Sequence, residues 1–264
     1  MKNKKKSKFL MNVILVIAIG VFAFSGFKLY QIYAGYKAID KEYETIKEEF
    51  VAEEIVIQDN TGESETEEVE EVFQVDFDSL LAINDDVVGW IRFDEPAVIS
   101  YPVVRGKDND KYLDTSLEGK YLAAGTIFMD YQNDDDFRDD NTVIYGHNMK
   151  NGSMFGQLRK FRNAEFSNNN PYFYIYTVDG RELTYQIFAV KVVSAVSSTY
   201  DKFYADAQEY QDYIDNVYKS AIYTSSDVTV TPQDRIVTLS TCTGDDETRL
   251  VVFGVVVDEV VIGE

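Results

Sequence analysis

The chain holds one cysteine, Cys242, and one histidine, His147. Cys242 ends the run TLSTC at 238–242, and Arg249, the last basic residue, opens RLVVFGVVV at 249–257. His147 directly follows TVIYG at 142–146. These three types suit acyl transfer. A thiol becomes a strong nucleophile only as thiolate. An imidazolium beside it stabilises the thiolate and later protonates a leaving amine. Arginine is always charged, and its rigid fork holds a developing oxyanion or orients substrate carbonyls. A lone cysteine is equally a small core residue, and a lone histidine an incidental group. What favours chemistry is position, because all three sit where a strand meets a turn.

The elements around them are strand-like. VVGWIRF (87–93), GTIFMD (125–130), TVIYG (142–146), YFYIYT (172–177), ELTYQIFAVKVV (182–193), RIVTLSTC (235–242) and RLVVFGVVV (249–257) are rich in β-branched and aromatic residues. The link TGDDET (243–248) contains Gly244 and three acids and reads as a turn, so Cys242 and Arg249 face each other if the flanking strands form a hairpin. Val178-Asp179-Gly180-Arg181 signals another hairpin. Tyr210, Tyr213, Ile214, Val217, Tyr218 and Ala221 recur at helical spacing, which predicts an amphipathic helix over 206–223. The expected architecture is a mainly β barrel or sandwich with peripheral helices.

Upstream, Lys2, Lys4, Lys5, Lys6 and Lys8 precede an uncharged apolar run, residues 9–27. A helix needs about 20 apolar residues to span a bilayer. The pattern predicts a cytoplasmic basic tail (1–8), a transmembrane anchor (9–27) and an exported remainder. A cleaved signal peptide is the alternative, with Ala23 and Ser25 near its cleavage site. Leu29, Tyr36, Tyr43 and Phe50, with Ile32, Ile39 and Ile46 between them, form a heptad stripe in an expected helical extension over 28–57. That stripe either docks on its own domain or pairs with a second copy. Residues 58–74 include NTGESETEEVEEV, with six glutamates, and read as an acidic linker before a domain spanning 75–264.

The formal net charge of −21 argues against a nucleic-acid partner. One cysteine excludes an internal disulfide, and one Cys with one His does not build a zinc site. No cofactor is expected. DYQNDDDFRDDN (130–141) carries six aspartates but lacks the spacing of a calcium loop, so a solvated loop is expected there.

TLSTC at 238–242 resembles the TLxTC signature of sortases, the cysteine transpeptidases of Gram-positive cell surfaces. YGHNMKNGSMFGQL (145–158) is similar to the histidine segment of class B sortases, and Arg249 fits the family's third catalytic position. The resemblance covers roughly residues 75–264. It implies an eight-stranded sortase-type β barrel with peripheral helices, an N-terminal helical extension and a membrane anchor. It also implies a reaction in which Cys242 attacks a sorting motif of a secreted protein after Thr and forms a thioacyl-enzyme. His147 then shuttles the proton and Arg249 steadies the oxyanion. The acceptor would be an amine of a peptidoglycan precursor. Ser240 and Thr241 flank the nucleophile as candidate substrate-binding residues; strand alternation turns one of them toward the peptide and the other inward. Two other readings stay open on the residues alone: a secreted cysteine peptidase with water as acceptor, and a membrane-tethered binding or structural protein.

Overall fold

The computed structural model describes residues 2–58, 68–245 and 247–262. The chain divides into two units, Met1–Glu44 and Thr45–Glu264. Helix α1 runs over Lys2–Phe50. It includes a stretch long and apolar enough to cross a membrane. Val16, Phe22 and Phe24 on that stretch are exposed. Along the heptad stripe, Leu29 and Ile32 are exposed, whereas Ile39, Tyr43, Ile46 and Phe50 are buried.

The expected helical extension ends early. Residues Val51–Gln58 form strand β1, which pairs antiparallel with β2, Glu68–Val75. The β-branched Val51, Ile55, Val56 and Ile57 favour an extended backbone, overriding the helical continuation suggested by the stripe. Part of the stretch expected as an acidic linker is therefore a strand; residues 59–67 lie outside the described residues. Helix α2, Phe77–Ile83, follows, started by Asp76, whose carboxylate accepts from Ser79 N at 3.0 Å.

The second unit is built mainly on β3 (Val87–Arg92), β4 (Ser100–Val104), β5 (Ile127–Met129), β6 (Asn141–Tyr145), β7 (Tyr172–Thr177), β8 (Arg181–Ser194), β9 (Tyr223–Thr224), β10 (Ile236–Cys242) and β11 (Thr248–Val261). Eight of these close a ring in the order β3-β4-β5-β6-β10-β11-β8-β7 and back to β3. β4 with β5 and β6 with β10 are parallel, and the remaining pairs are antiparallel, so the barrel is mixed. The short β9 attaches to the later half of β8. The β7–β8 hairpin turns through Gly180 at φ 83°, a left-handed conformation that a Cβ would strain. Inside, Phe173 stacks between Phe93 and Tyr185, with ring centroids 5.0 Å apart on each side.

Helix α3 (Ala164–Asn169) and helix α4 (Ala207–Lys219) are peripheral. The Asp206 carboxylate caps α4, accepting from Gln208 N and Glu209 N at 2.9 Å each. Tyr210, Tyr213, Ile214 and Val217 pack on Phe188, Ile236, Val251, Phe253 and Val255 of the barrel wall. Burying Ile214 alone contributes about 1.5–3 kcal/mol. The helix stops at Lys219, short of the expected 223, because the chain turns through Ser220 to lay Tyr223 against Val190. Ile236 faces α4, so strand alternation sets Thr238, Ser240 and Cys242 on the same outer face, with Val237, Leu239 and Thr241 toward the barrel interior.

Candidate active site

Cys242 and Arg249 are direct cross-strand partners, the last pair of the β10–β11 ladder before the turn. Gly244, at φ 101°, makes the turn that reverses the chain. The Arg249 guanidinium donates from Nη1 to Thr248 O at 3.0 Å, which holds its fork at the mouth of the loop. Both residues are half-buried.

His147 reaches the same rim from the other flank of β10. Strand β6 pairs in parallel with β10, with Tyr145 opposite Ser240. Gly146 N extends the ladder by donating to Ser240 O at 3.1 Å. Asn148 Nδ2 then donates to Cys242 O at 2.7 Å. His147 is thus bracketed by two bonds to the strand that ends at the thiol. Its own ring is oriented by Leu113 O, 2.6 Å from Nε2. A carbonyl only accepts, so Nε2 carries a proton in this arrangement.

Cys242, His147 and Arg249 line one cavity of about 450 Å³, together with Asn109, Leu113, Phe128, Tyr145, Val196, Tyr200, Ser240 and Thr241. That volume suits a short peptide segment. The two flanking candidates differ. The Ser240 hydroxyl shares a hydrogen bond of 2.9 Å with Tyr200 OH. The Thr241 hydroxyl is buried and has no hydrogen-bond partner. Val196, 92% exposed, forms an apolar lip.

Tyr145 was not legible as a wall residue in the sequence. Burial, reinforced by the nearby Asp130 carboxylate, raises the Tyr145 phenol well above its ordinary value. Burial also raises Tyr200, and Cys242 adds to this, while the Ser240 hydrogen bond and the Arg249 charge oppose it. Both phenols therefore remain neutral at neutral pH. The acidic stretch 130–141, expected as a solvated loop, departs from that at its first residue: Asp130 is 3% exposed and accepts from Tyr145 OH at 2.9 Å. Asp139 is likewise engaged, accepting from Asn133 Nδ2 at 2.7 Å. Among the described residues, no group of three or more His, Cys, Asp or Glu side chains is arranged to hold a metal ion.

The family model for the sortase domain matches residues 95–257. Sortase B of Listeria monocytogenes is 33% identical over 259 residues, 95% of this chain and 98% of that protein. The structure of sortase B from B. anthracis in complex with AAEK1 superposes with a TM-score of 0.69 at 31% identity, covering 85% of this chain and 99% of that one. A Staphylococcus aureus sortase B–substrate complex matches with a TM-score of 0.65 at 31% identity, over 69% and 84% of the two chains. With its closed mixed barrel, the chain belongs to the sortase family. Its curated relatives and structural neighbours are class B sortases, and it is a cysteine transpeptidase acting on sorting-motif substrates.

Proposed function

We propose that Cys242 is the nucleophile of this transpeptidase, His147 its proton shuttle and Arg249 its oxyanion partner. The observation carrying this reading is the direct pairing of Cys242 with Arg249 on a cavity that His147 also lines. The thiolate attacks the carbonyl carbon after Thr in the sorting motif. Arg249 stabilises the resulting oxyanion, a role for which removing one donor costs about 2.7–4 kcal/mol in known cases. The C–N bond breaks as His147 delivers a proton to the departing amine, leaving a thioester on Cys242. An incoming amine gives its proton to His147 and attacks the thioester, the C–S bond breaks, and a new amide replaces the old one. The exchange of one amide for another needs no external energy source and no cofactor.

Ser240, on the same face as Cys242, contacts the bound peptide beside the nucleophile, while the Thr241 side chain is turned inward. The acceptor is an amino group of a peptidoglycan precursor. Residues 9–27 anchor the enzyme by a single pass, with the lysine-rich end in the cytoplasm and the barrel outside, an orientation favoured by the five lysines before the span.

The test is covalent capture. Incubating the enzyme with a labelled sorting peptide should give an adduct on Cys242 by mass spectrometry, and an added amine should convert it to a transfer product. Cys242→Ala should give neither. Capture by Cys242→Ala would remove Cys242 as nucleophile. Release only as free acid, however much amine is present, would make the protein a peptidase instead.

A further inference from the structure

The cavity is walled by segments distant in sequence: the loop carrying Asn109 and Leu113, the end of β6 with Tyr145, and the segment with Tyr200, all set around β10. Such walls need a device that fixes their spacing. We propose that Asp130, with its buried counter-ion Lys202, is a positioning residue that sets the width of the peptide groove by tying three of its walls to one carboxylate. This inference rests on the groove being the peptide site proposed above.

Asp130 follows β5 and is 3% exposed; Lys202 is 9% exposed. Asp130 Oδ2 accepts from Asn109 Nδ2 at 2.9 Å and from Tyr145 OH at 2.9 Å, and lies 3.4 Å from Lys202 Nζ. Lys202 Nζ also donates to Tyr200 O at 3.0 Å. The other carboxylate oxygen accepts from Gln132 N at 3.0 Å, and Asn109 Oδ1 accepts from Tyr131 N at 3.0 Å, so the rotamers of both side chains are fixed.

Each wall held from behind by this pair is tied in front to the reacting residues. Asn109 shares its loop with Leu113, whose carbonyl orients His147 at 2.6 Å. Tyr145 precedes Gly146 and His147 on the β6 exit. Tyr200 hydrogen-bonds Ser240 at 2.9 Å, on the strand that ends at Cys242. A buried ion pair adds little net stability over apolar packing of the same volume, but its hydrogen bonds impose one geometry. A displacement of about 1 Å in such a support costs on the order of a hundredfold in a positioned reaction.

Asp130→Asn keeps the volume, removes the charge facing Lys202 and puts an NH2 group where only acceptors fit. In that variant, kcat/KM for thioacylation by a labelled sorting peptide should fall by about tenfold or more, mostly through KM. Alkylation of Cys242 by iodoacetamide, which needs no groove, should stay within about twofold of the parent. Lys202→Met should lower peptide kcat/KM as well, and the double variant should be no worse than Asp130→Asn alone, because the two act as one unit. If the parent enzyme is acylated and Asp130→Asn is acylated equally well, the inference fails while the proposed function stands. The inference fails likewise if alkylation and thermal stability fall in parallel with peptide turnover, since the role is then only structural. A parent enzyme that is never acylated by the peptide ends both.

Discussion

Asn148 Nδ2 donates to the backbone carbonyl of Cys242 at 2.7 Å, joining the histidine loop to the nucleophile strand across 94 residues of sequence. Phe155 N donates to His147 O at 3.0 Å and closes the same loop from behind. A hydrogen bond of this kind contributes about 0.5–1.5 kcal/mol. Asn148→Ala should therefore lower kcat by roughly three- to tenfold with little change in KM. Steady-state transfer kinetics check this; a change confined to KM would assign Asn148 to peptide binding instead.

Gly146 admits no side chain. A Cβ there would lie 2.4 Å from Ile127 Cδ1 and 2.7 Å from two ring carbons of buried Phe155. Overpacking of this kind costs about 1–3 kcal/mol. Relief by backbone movement displaces His147, the next residue. Gly146→Ala should lose both thermal stability and transfer activity, and activity should fall further than the unfolded fraction explains. A variant with parental kcat would separate the histidine position from the packing beneath Gly146.

The β10–β11 hairpin was legible because two β-branched runs flank a Gly- and Asp-rich turn, and from it the facing of Cys242 and Arg249 followed. Helix α4 was legible from the spacing of Tyr210, Tyr213, Ile214 and Val217, all of which are buried. Strand β4 was missed: Ser100–Val104 is short and contains Pro102, which lacks a donor for a ladder. The groove walls were missed for a different reason. Asn109 and Leu113 lie on a loop and a short turn with no periodicity, and only tertiary packing brings them beside Cys242. Asp130 was hidden by its neighbours, since a run of aspartates reads as solvated until one of them is found buried against Tyr145.

Tyr200 and Ser240 form one hydrogen-bonded unit on the groove, 2.9 Å between oxygens. Tyr200→Phe keeps the ring and removes the hydroxyl; Ser240→Ala removes the other half. Each should lower kcat/KM for the sorting peptide severalfold. The double variant should lose less than the two combined, with a coupling of about 0.5–1.5 kcal/mol. Strict additivity would show that the two hydroxyls act on the peptide independently.

Alkaline pH should unfold the protein cooperatively. Burial raises the phenols of Tyr145, Tyr176, Tyr185, Tyr204, Tyr210 and Tyr213 above their ordinary value in the folded chain. Above about pH 10 the unfolded chain loses phenolic protons that the folded chain keeps, so the unfolded state binds fewer protons and stability falls as pH rises. Tm should be nearly flat from about pH 7 to 9 and drop steeply beyond about pH 10. Tyrosinate absorbance from these side chains should rise together with loss of structure. Full ionisation in a chain that is still folded would contradict the buried positions of Tyr176, Tyr185, Tyr210 and Tyr213.

The ring formed when β11 pairs with β8 gives each of the eight barrel strands a neighbour on both sides along part of its length. Where a strand is paired on both sides, an extended peptide cannot join the ring as an additional strand. A segment that docks there lies across the outer wall and is gripped by side chains and loop carbonyls. Selectivity then belongs to the loops, which can diverge between relatives while the ring stays the same.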